Sequence, residues 1–203
     1  MSNKTLLRDT FNAVVKEVKP QKLIKQGCRL KGDTLSISGN SYDLNKYKNI
    51  YLLGSGKAVV PMALEMQKLL KDKISNTLII GAYNSDVKLD NGIYFKSSHP
   101  VPTHKSLQAG RALQDTMTSF TQDDLFIYLL SGGNSALVEL PEEPISLAEF
   151  QEATSLMLKG AMPIEKINSV RKHISQVKGG KLAEKTKAKG VVIVLSDVIG
   201  DDL

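Results

Sequence analysis

Residues 50–70, "IYLLGSGKAVVPMALEMQKLL", run from an apolar strand through a Gly-Ser-Gly-Lys turn into an amphipathic helical pattern. Apolar strand patterns follow at "TLIIGAY" (77–83), "GIYFKSS" (92–98), "DLFIYLL" (124–130) and "GVVIVL" (190–195), with helical patterns between them. Continuous apolar strands that alternate with helices indicate a parallel sheet. We therefore predict an α/β fold with a Rossmann-like parallel sheet covered by helices on both faces.

The segment before this alternation predicts two helices and a small hairpin. Apolar residues between positions 4 and 26 have near-helical spacing that Pro20 interrupts, so two helical pieces should meet at that proline. Residues 28–38, "CRLKGDTLSIS", alternate apolar and polar around a Gly-Asp turn, as a hairpin does. Further helices are expected at about 57–70, 103–120, 146–160, 163–173 and 179–187. Without a linker or repeat, residues 1–203 are expected to form one domain.

The composition favours a small anionic ligand over a nucleic acid or a membrane. The net charge is +6, but the basic residues are spread along the chain and do not alternate with aromatic ones. No apolar run reaches the roughly 18 residues of a membrane span, and no basic segment precedes an apolar one at the N-terminus. Cys28 is the single cysteine, which excludes an intrachain disulfide. We expect a cytoplasmic protein in which Cys28 is a partly buried thiol.

Ligands of open α/β sheets bind at the carboxyl ends of the strands, where four loops of this chain should meet: 54–57, 97–100, 131–135 and 196–201. The first loop is not a Walker A motif, because only Ser55 separates its two glycines and Ala58 provides no hydroxyl group after the lysine. It is not a dinucleotide fingerprint either, because Val59 stands where glycine or alanine is required. A nicotinamide-dependent oxidoreductase is therefore disfavoured.

Two interpretations of the first loop remain open. Its backbone N–H groups and the following helix N-terminus could bind an anion, or it could be a plain connection whose lysine points into solvent. The candidate residues are Gly54, Ser55, Gly56 and Lys57.

The loop at 131–135 has the same two interpretations. It offers several backbone N–H groups and two hydroxyl groups to an anion, or it is a glycine turn in which Ser135 caps a helix. The candidate residues are Ser131, Gly132, Gly133, Asn134 and Ser135.

A further basic segment follows at residues 168–180. Asn168 and Arg171 lie within one helical turn, and Lys178 precedes Gly179 and Gly180 at the start of another expected helix. A double glycine at a helix start can bind an anion, whereas the alternative is a charged helix that faces solvent.

Aspartates follow the last predicted strand. Asp197 comes just after the strand end, where a carboxylate suits Mg²⁺ with nucleotide phosphates or a base for a hydroxyl proton. Asp201 and Asp202 could join this site or lie in a solvated loop. The three histidines, including His99, have no spacing that suggests a metal site and are expected to be structural.

Five motifs in this order resemble the N-terminal part of the glycerate 2-kinase family, whose C-terminal region is called MOFRL. The motifs are "GSGKA" (54–58), "HPVPT" (99–103), "LLSGGNSALVELP" (129–141), "INSVRKHISQVKGGKLA" (167–183) and "VLSDVIGDDL" (194–203). The resemblance implies a Rossmann-like domain that faces a second domain across a cleft. It also implies that ATP, with Mg²⁺, phosphorylates D-glycerate, usually at the 2-hydroxyl, to give 2-phosphoglycerate.

The resemblance assigns residues to this reaction. Lys57 matches the family's proposed active-site lysine, and the aspartates of the family's SDV-GD loop match Asp197 and Asp201. Its other motifs match the loop at 131–135, the segment from Asn168 to His173 and the turn at 178–180. We therefore expect catalytic roles for Lys57 and Asp197, with Asp197 as the metal ligand, and binding roles for the other candidate residues.

Two features depart from the family pattern. Thr103 stands where members often have an aspartate, and the sequence reaches Leu203 without a MOFRL region. We therefore expect this chain to be inactive or weak by itself and to self-associate through an uncovered apolar face. The alternative function is a non-catalytic anion-binding module.

Overall fold

The N-terminal segment forms two helices and a small antiparallel sheet in the computed structural model, which describes residues 2–84 and 86–196. Its elements are α1 (Asn3–Glu17), α2 (Pro20–Gly27), β1 (Cys28–Lys31), β2 (Thr34–Ile37) and β3 (Asn40–Asp43). The break between the helices at Pro20 and the β1–β2 hairpin confirm the prediction. Strand β3, which the sequence did not predict, pairs with β2 through a two-residue turn. Ser38 and Gly39 both have positive φ there, as such hairpin turns require.

The larger sheet has five parallel strands: β4 (Asn49–Ser55), β5 (Asn76–Gly81), β6 (Gly92–Lys96), β7 (Asp124–Ser131) and β8 (Lys189–Leu195). Their order across the sheet is β6-β5-β4-β7-β8. The first of these strands is therefore central, the next two extend to one side and the last two to the other. This is the order of a Rossmann-like sheet, and it confirms the predicted fold class. The direction of winding reverses between β4 and β7.

Helices cover both faces of this sheet. They are α3 (Val59–Leu70), α4 (His104–Ser119), α5 (Asn134–Leu137), α6 (Leu147–Lys159), α7 (Ile164–His173) and α8 (Lys181–Glu184), with single 3-10 turns at Leu44–Lys46 and Lys71–Lys73. On one face α3, α2 and the small sheet enclose an apolar core, and on the other face α4 and α5 enclose a second core. Among the described residues, no helix combines the length and apolarity that crossing a membrane requires.

Two expected features differ in the structure. The helix expected at 179–187 is only the four residues of α8, because the side chain of Thr186 accepts a hydrogen bond from Ala188 N–H and β8 begins at Lys189. Cys28 is buried rather than partly buried, and burial raises the pKa of its thiol to about 11.

Thr103 caps α4 with a reciprocal hydrogen-bond pair to Ser106, which gives the family-atypical threonine a structural role.

Helix α1 contributes no buried residue to the structure. Its apolar side chains are all exposed: Leu6, Leu7, Phe11, Val14 and Val15, with Val18 just after the helix. The expected self-association remains a prediction.

We predict that truncating a buried apolar residue of a helix destabilises the protein far more than truncating an exposed one. Leu113 of α4 is completely buried, so Leu113→Ala should lower the free energy of unfolding by about 3 kcal/mol. Leu7 of α1 is 71% exposed, so the same truncation there should change it by less than about 0.5 kcal/mol. Urea titrations followed by circular dichroism would measure both values. A comparable loss for Leu7→Ala would show that α1 is buried in solution.

Candidate functional site

The loops after β4 and β7 are bonded to each other where the winding of the sheet reverses. Lys57 N–H donates to the Gly132 carbonyl at 2.9 Å, and Ala58 N–H donates to Ser131 Oγ at 3.0 Å. Gly56 lies against Ser131, and its φ of 134° is in the region that favours glycine. A Cβ atom at Gly56 would lie 2.5 Å from the Ser131 carbonyl oxygen, so a side chain cannot fit. The two strand ends therefore meet in one loop pair.

This contact leaves the backbone of the first loop occupied. Gly56 N–H donates to the Ile80 carbonyl at 3.1 Å, so the N–H groups of residues 56, 57 and 58 all have protein acceptors. The interpretation that the N–H groups of residues 56–58 bind an anion is therefore wrong, and a contribution from the N-terminus of α3 stays a prediction. Gly54 lies beneath the loop, packed between Val59 and Leu129, and what the turn offers to a ligand is the exposed side chain of Lys57.

The second loop retains free backbone donors. Within the part of the chain that the structure describes, no acceptor contacts the N–H groups of residues 132–135. Gly133 has a φ of 88°, a left-handed conformation that turns the chain into α5. Consecutive unpaired N–H groups at such a turn form an anion-binding concavity.

These donors border a cleft of about 380 Å³ at the carboxyl ends of β7 and β8. The cleft is lined by apolar residues of the strand ends, by the second loop, and by the segments around α7 and the following turn: Leu130, Ser131, Gly132, Gly133, Asn134, Ser135, Asn168, Arg171, Lys172, Val177, Lys178, Gly179, Val194, Leu195 and Ser196. Three of these side chains are cationic, and none of the described lining residues is acidic. The cleft therefore favours a negatively charged ligand.

A buried carboxylate holds two of the cations in place. Glu139 is completely buried, and its Oε2 accepts a hydrogen bond from Lys178 Nζ at 2.6 Å. Arg171 NH2 lies 3.9 Å from the same oxygen and donates to the Ser135 carbonyl at 2.6 Å. Lys178 Nζ also donates to the Val138 carbonyl at 2.9 Å. These contacts tie the second loop to the segments that carry Arg171 and Lys178.

The cluster is electrostatically unbalanced among the described residues, since two cations share one carboxylate. Burial lowers the pKa of Lys178 and of Arg171, and the charge of Glu139 opposes this shift in both. Arg171 Nε is buried and has no hydrogen-bond partner in the described part of the chain. Arg171 and Lys178 thus have structural contacts and also face the cleft.

His99, which was predicted from the sequence to be structural, lies near the site. A Cβ atom at Gly133 would lie 3.0 Å from His99 Nε2 and 3.0 Å from Lys57 Cγ, so both side chains flank the glycine. Partial burial lowers the pKa of His99, and the charge of Lys57 lowers it further. The position of His99 just after β6, at the carboxyl edge of the sheet, was the sequence signal that could have indicated a place near the site.

Comparison with known proteins identifies the family. Residues 6–203 match the family described as a domain of unknown function, DUF4147. The chain belongs to the DUF4147 family. This DUF4147 chain is 33% identical over 189 residues to the glycerate 2-kinase of Pyrococcus horikoshii, covering 93% of this chain and 42% of that protein. It is 41% identical over 156 residues to the D-glycerate 2-kinase of Thermotoga maritima, covering 76% and 37%.

Solved structures agree with these relatives. The crystal structure of a Pyrococcus horikoshii protein matches with a TM-score of 0.88 at 32% identity, over 100% of this chain and 46% of that one. The glycerate kinase structure from Thermotoga maritima matches with a TM-score of 0.82 at 34% identity, over 98% and 45%. The resemblance to the glycerate 2-kinase family is thus confirmed. The DUF4147 chain spans less than half the length of these relatives.

The structure brings most of the candidate residues to one edge of the sheet. The residues at 131–135 line the cleft with Asn168, Arg171, Lys178 and Gly179, and Lys57 lies beside Gly133. Ser55 lies below the loop, and Gly180 precedes α8 without lining the cleft. Asp197, Asp201 and Asp202 lie outside the described residues. Within the described ranges, no group of three or more His, Cys, Asp or Glu residues could hold a metal ion.

We predict that Glu139→Gln lowers the free energy of unfolding by about 3 kcal/mol at pH 7, because it leaves the largely buried Lys178 ammonium without its counter-charge. The matched control is Glu142→Gln, which removes a partly exposed ion pair with Lys181 and should cost less than about 1 kcal/mol.

The loss in Glu139→Gln should shrink as the pH rises from 7 towards 10. The pKa of folded Lys178 lies below its unfolded value, so the unfolded chain binds more protons in this window and stability rises with pH. Without Glu139 the pKa of folded Lys178 falls further, so stability rises more with pH in the variant than in the wild type. Denaturant titrations across this range test the sign, and a loss that grows with pH would contradict it.

Proposed function

We propose that this DUF4147 chain carries the anion-binding half of a glycerate 2-kinase site, which transfers a phosphoryl group from ATP to the 2-hydroxyl of D-glycerate. The observation that supports it most is the cationic cleft outside the carboxyl ends of β7 and β8, beside the point between β4 and β7 where the sheet reverses its winding. Nucleotides and other phosphorylated ligands bind at this position in open α/β sheets. The glycerate kinase relatives support the choice of reaction, and an ATP-dependent reaction fits the cytoplasmic location expected from the sequence.

The chemistry of the cleft fits an acidic substrate. D-glycerate has a carboxylate, and ATP has a chain of phosphates, so both require donors and positive charge. The cleft supplies the N–H groups of residues 132–135, which have no acceptor among the residues that the structure describes, and the cations Arg171, Lys172 and Lys178. Oxygen atoms of a carboxylate or a phosphate can accept from such donors in a partly enclosed site, where charge-assisted hydrogen bonds are strong.

Lys57 is proposed to act on the phosphoryl group. Its side chain is exposed and passes beside Gly133 at Cγ, and the loop backbone is held by the bond to Gly132. Phosphoryl transfer spreads negative charge over the equatorial oxygens, and a preorganised cation that offsets this charge supplies much of the catalysis. His99 is close enough to Lys57 to share in ligand binding.

Mg²⁺ remains the proposed partner of ATP, with Asp197 as its ligand or as the base for the glycerate hydroxyl. Bound Mg²⁺ would neutralise phosphate charge during the transfer. Asp197 follows Ser196, which lines the cleft, and Asp201 is proposed to assist ligand binding. The described residues of the cleft contain no carboxylate that could replace Asp197 in this role.

A non-catalytic anion-binding module is the second candidate. The chain spans 42% of the Pyrococcus glycerate 2-kinase, and Lys178 uses two of its three N–H groups on Glu139 and Val138. A domain with this cleft can bind an anion without transferring a phosphoryl group. Binding and turnover therefore have to be measured separately.

We predict that Lys57→Ala lowers glycerate-dependent release of ADP by about 10²-fold or more, as the loss of one charge-stabilising donor does. The matched control is Lys68→Ala, at an exposed lysine on α3 that should leave turnover unchanged. A coupled ADP assay with the 203-residue chain, or with a longer polypeptide that contains it, measures both. Equal activity of the two variants would remove Lys57 from the mechanism. Binding of ATP and glycerate without turnover would favour the anion-binding module.

A further inference from the structure

Three polar side chains form a hydrogen-bonded row from the core of the sheet to the cleft. Ser55 Oγ lies 2.5 Å from the hydroxyl oxygen of Tyr128 and 2.5 Å from Asn134 Oδ1. Ser55 and Tyr128 are buried in β4 and β7, respectively, and Asn134 is half-buried at the start of α5, where it lines the cleft. The row thus begins in the apolar interior and ends at the site.

The direction of the protons along this row is determined by its buried end. Burial raises the pKa of Tyr128 to about 12, so its hydroxyl retains its proton at neutral pH. Ser55 Oγ is the hydrogen-bond partner that the described residues provide for this hydroxyl. A buried O–H without an acceptor costs about 1–3 kcal/mol, so Tyr128 donates to Ser55. The single proton of Ser55 is then available for Asn134 Oδ1.

This direction determines the orientation of the Asn134 amide. An asparagine can present its oxygen or its nitrogen at a given place, and the hydrogen-bond network decides between them. Because Ser55 donates, the oxygen of Asn134 faces Ser55 and the NH₂ group is directed away from it. No hydrogen bond to that NH₂ group exists within the described part of the chain.

We propose that Tyr128 and Ser55 are positioning residues that make Asn134 a donor-only group towards the cleft. Such a group pairs with acceptor oxygens, and the carboxylate and phosphoryl oxygens of an anionic ligand, which accept and do not donate, match it better than a hydroxyl group, which also has a proton to place. This assignment rests on the proposed function for its ligand, an anionic substrate of the cleft. The Asn134 NH₂ group is then a side-chain donor beside the backbone N–H groups of the loop, and the buried residues Tyr128 and Ser55 set its direction.

The first experiment needs no ligand. NMR of the ¹⁵N-labelled chain in water should show slowly exchanging hydroxyl protons for Tyr128 and Ser55, with an NOE from the Tyr128 hydroxyl to Ser55 Hβ. Tyr128→Phe should abolish the tyrosine signal and change the Asn134 NH₂ resonances. Strong NOEs from the Asn134 NH₂ protons to the Ser55 hydroxyl or the Tyr128 ring in the wild-type chain would show a reversed amide and overturn the proposal.

The second experiment measures ligand affinity. Calorimetric titration with D-glycerate and with inorganic phosphate should show binding about threefold to tenfold weaker in Tyr128→Phe, which is the usual value of one hydrogen bond. Asn134→Asp should abolish it, because a carboxylate donates no hydrogen bond and repels the anion. The matched control is Tyr94→Phe, which removes a tyrosine hydroxyl bonded to the Tyr83 carbonyl on the distant strand β6 and should bind as the wild type does.

The outcomes separate the two proposals. Wild-type affinity in a folded Tyr128→Phe chain would refute the positioning role while leaving the proposed function standing. A wild-type chain that binds neither anion would refute the proposed function and the ligand assignment, and the NMR result would still decide whether Tyr128 and Ser55 orient Asn134.

Discussion

The hydrogen bond from Lys57 N–H to the Gly132 carbonyl is the contact on which the site depends. It joins the loops after β4 and β7 at the point where the sheet reverses its winding. The contact requires a glycine at position 56, since a Cβ atom there would overlap with Ser131. Once the first loop donates the N–H groups of residues 56–58 to the protein, the second loop is the one of this pair whose backbone N–H groups have no acceptor among the described residues. Because of this contact, the first loop offers a ligand the side chain of Lys57, whereas the second loop offers its backbone N–H groups.

Two sets of polar contacts among buried and partly buried residues hold the loop at 131–135 in place. Glu139 binds Lys178 and lies near Arg171, and through the Arg171 bond to the Ser135 carbonyl this cluster holds one end of the loop. The row of Tyr128, Ser55 and Asn134 holds the other end. Buried polar groups are costly unless they are paired, so each of these contacts favours a single arrangement of the loop. A preorganised loop loses little conformational freedom when an anion binds.

The sequence was sufficient for the parallel sheet because its strands are continuous apolar runs, and for the break at Pro20 because proline restricts the backbone locally. It failed where non-local or subtle local contacts decide. The strand β3 depends on two positive φ angles in a Ser-Gly turn, and the truncation of the helix at 179–187 depends on where β8 joins the sheet. A site role for His99 was missed because its spacing from the other histidines gives no signal, and its proximity to Lys57 arises only when β6 and β4 end at the same edge.

The sequence by itself determined the class of fold, the family and the meeting of the loops at 54–57 and 131–135 at the carboxyl edge, because these follow from periodicity and from motifs that are local in the chain. Only the tertiary structure decided which groups remain free for a ligand. The turn of Gly56 and Lys57 and the loop of Gly132 and Gly133 both contain unpaired backbone donors when considered alone. Packing gives acceptors to the first and leaves the second open, and a residue 82 positions after Lys57, Glu139, becomes the buried counter-charge of the cleft. Such pairings depend on distance in space, which local sequence patterns do not encode.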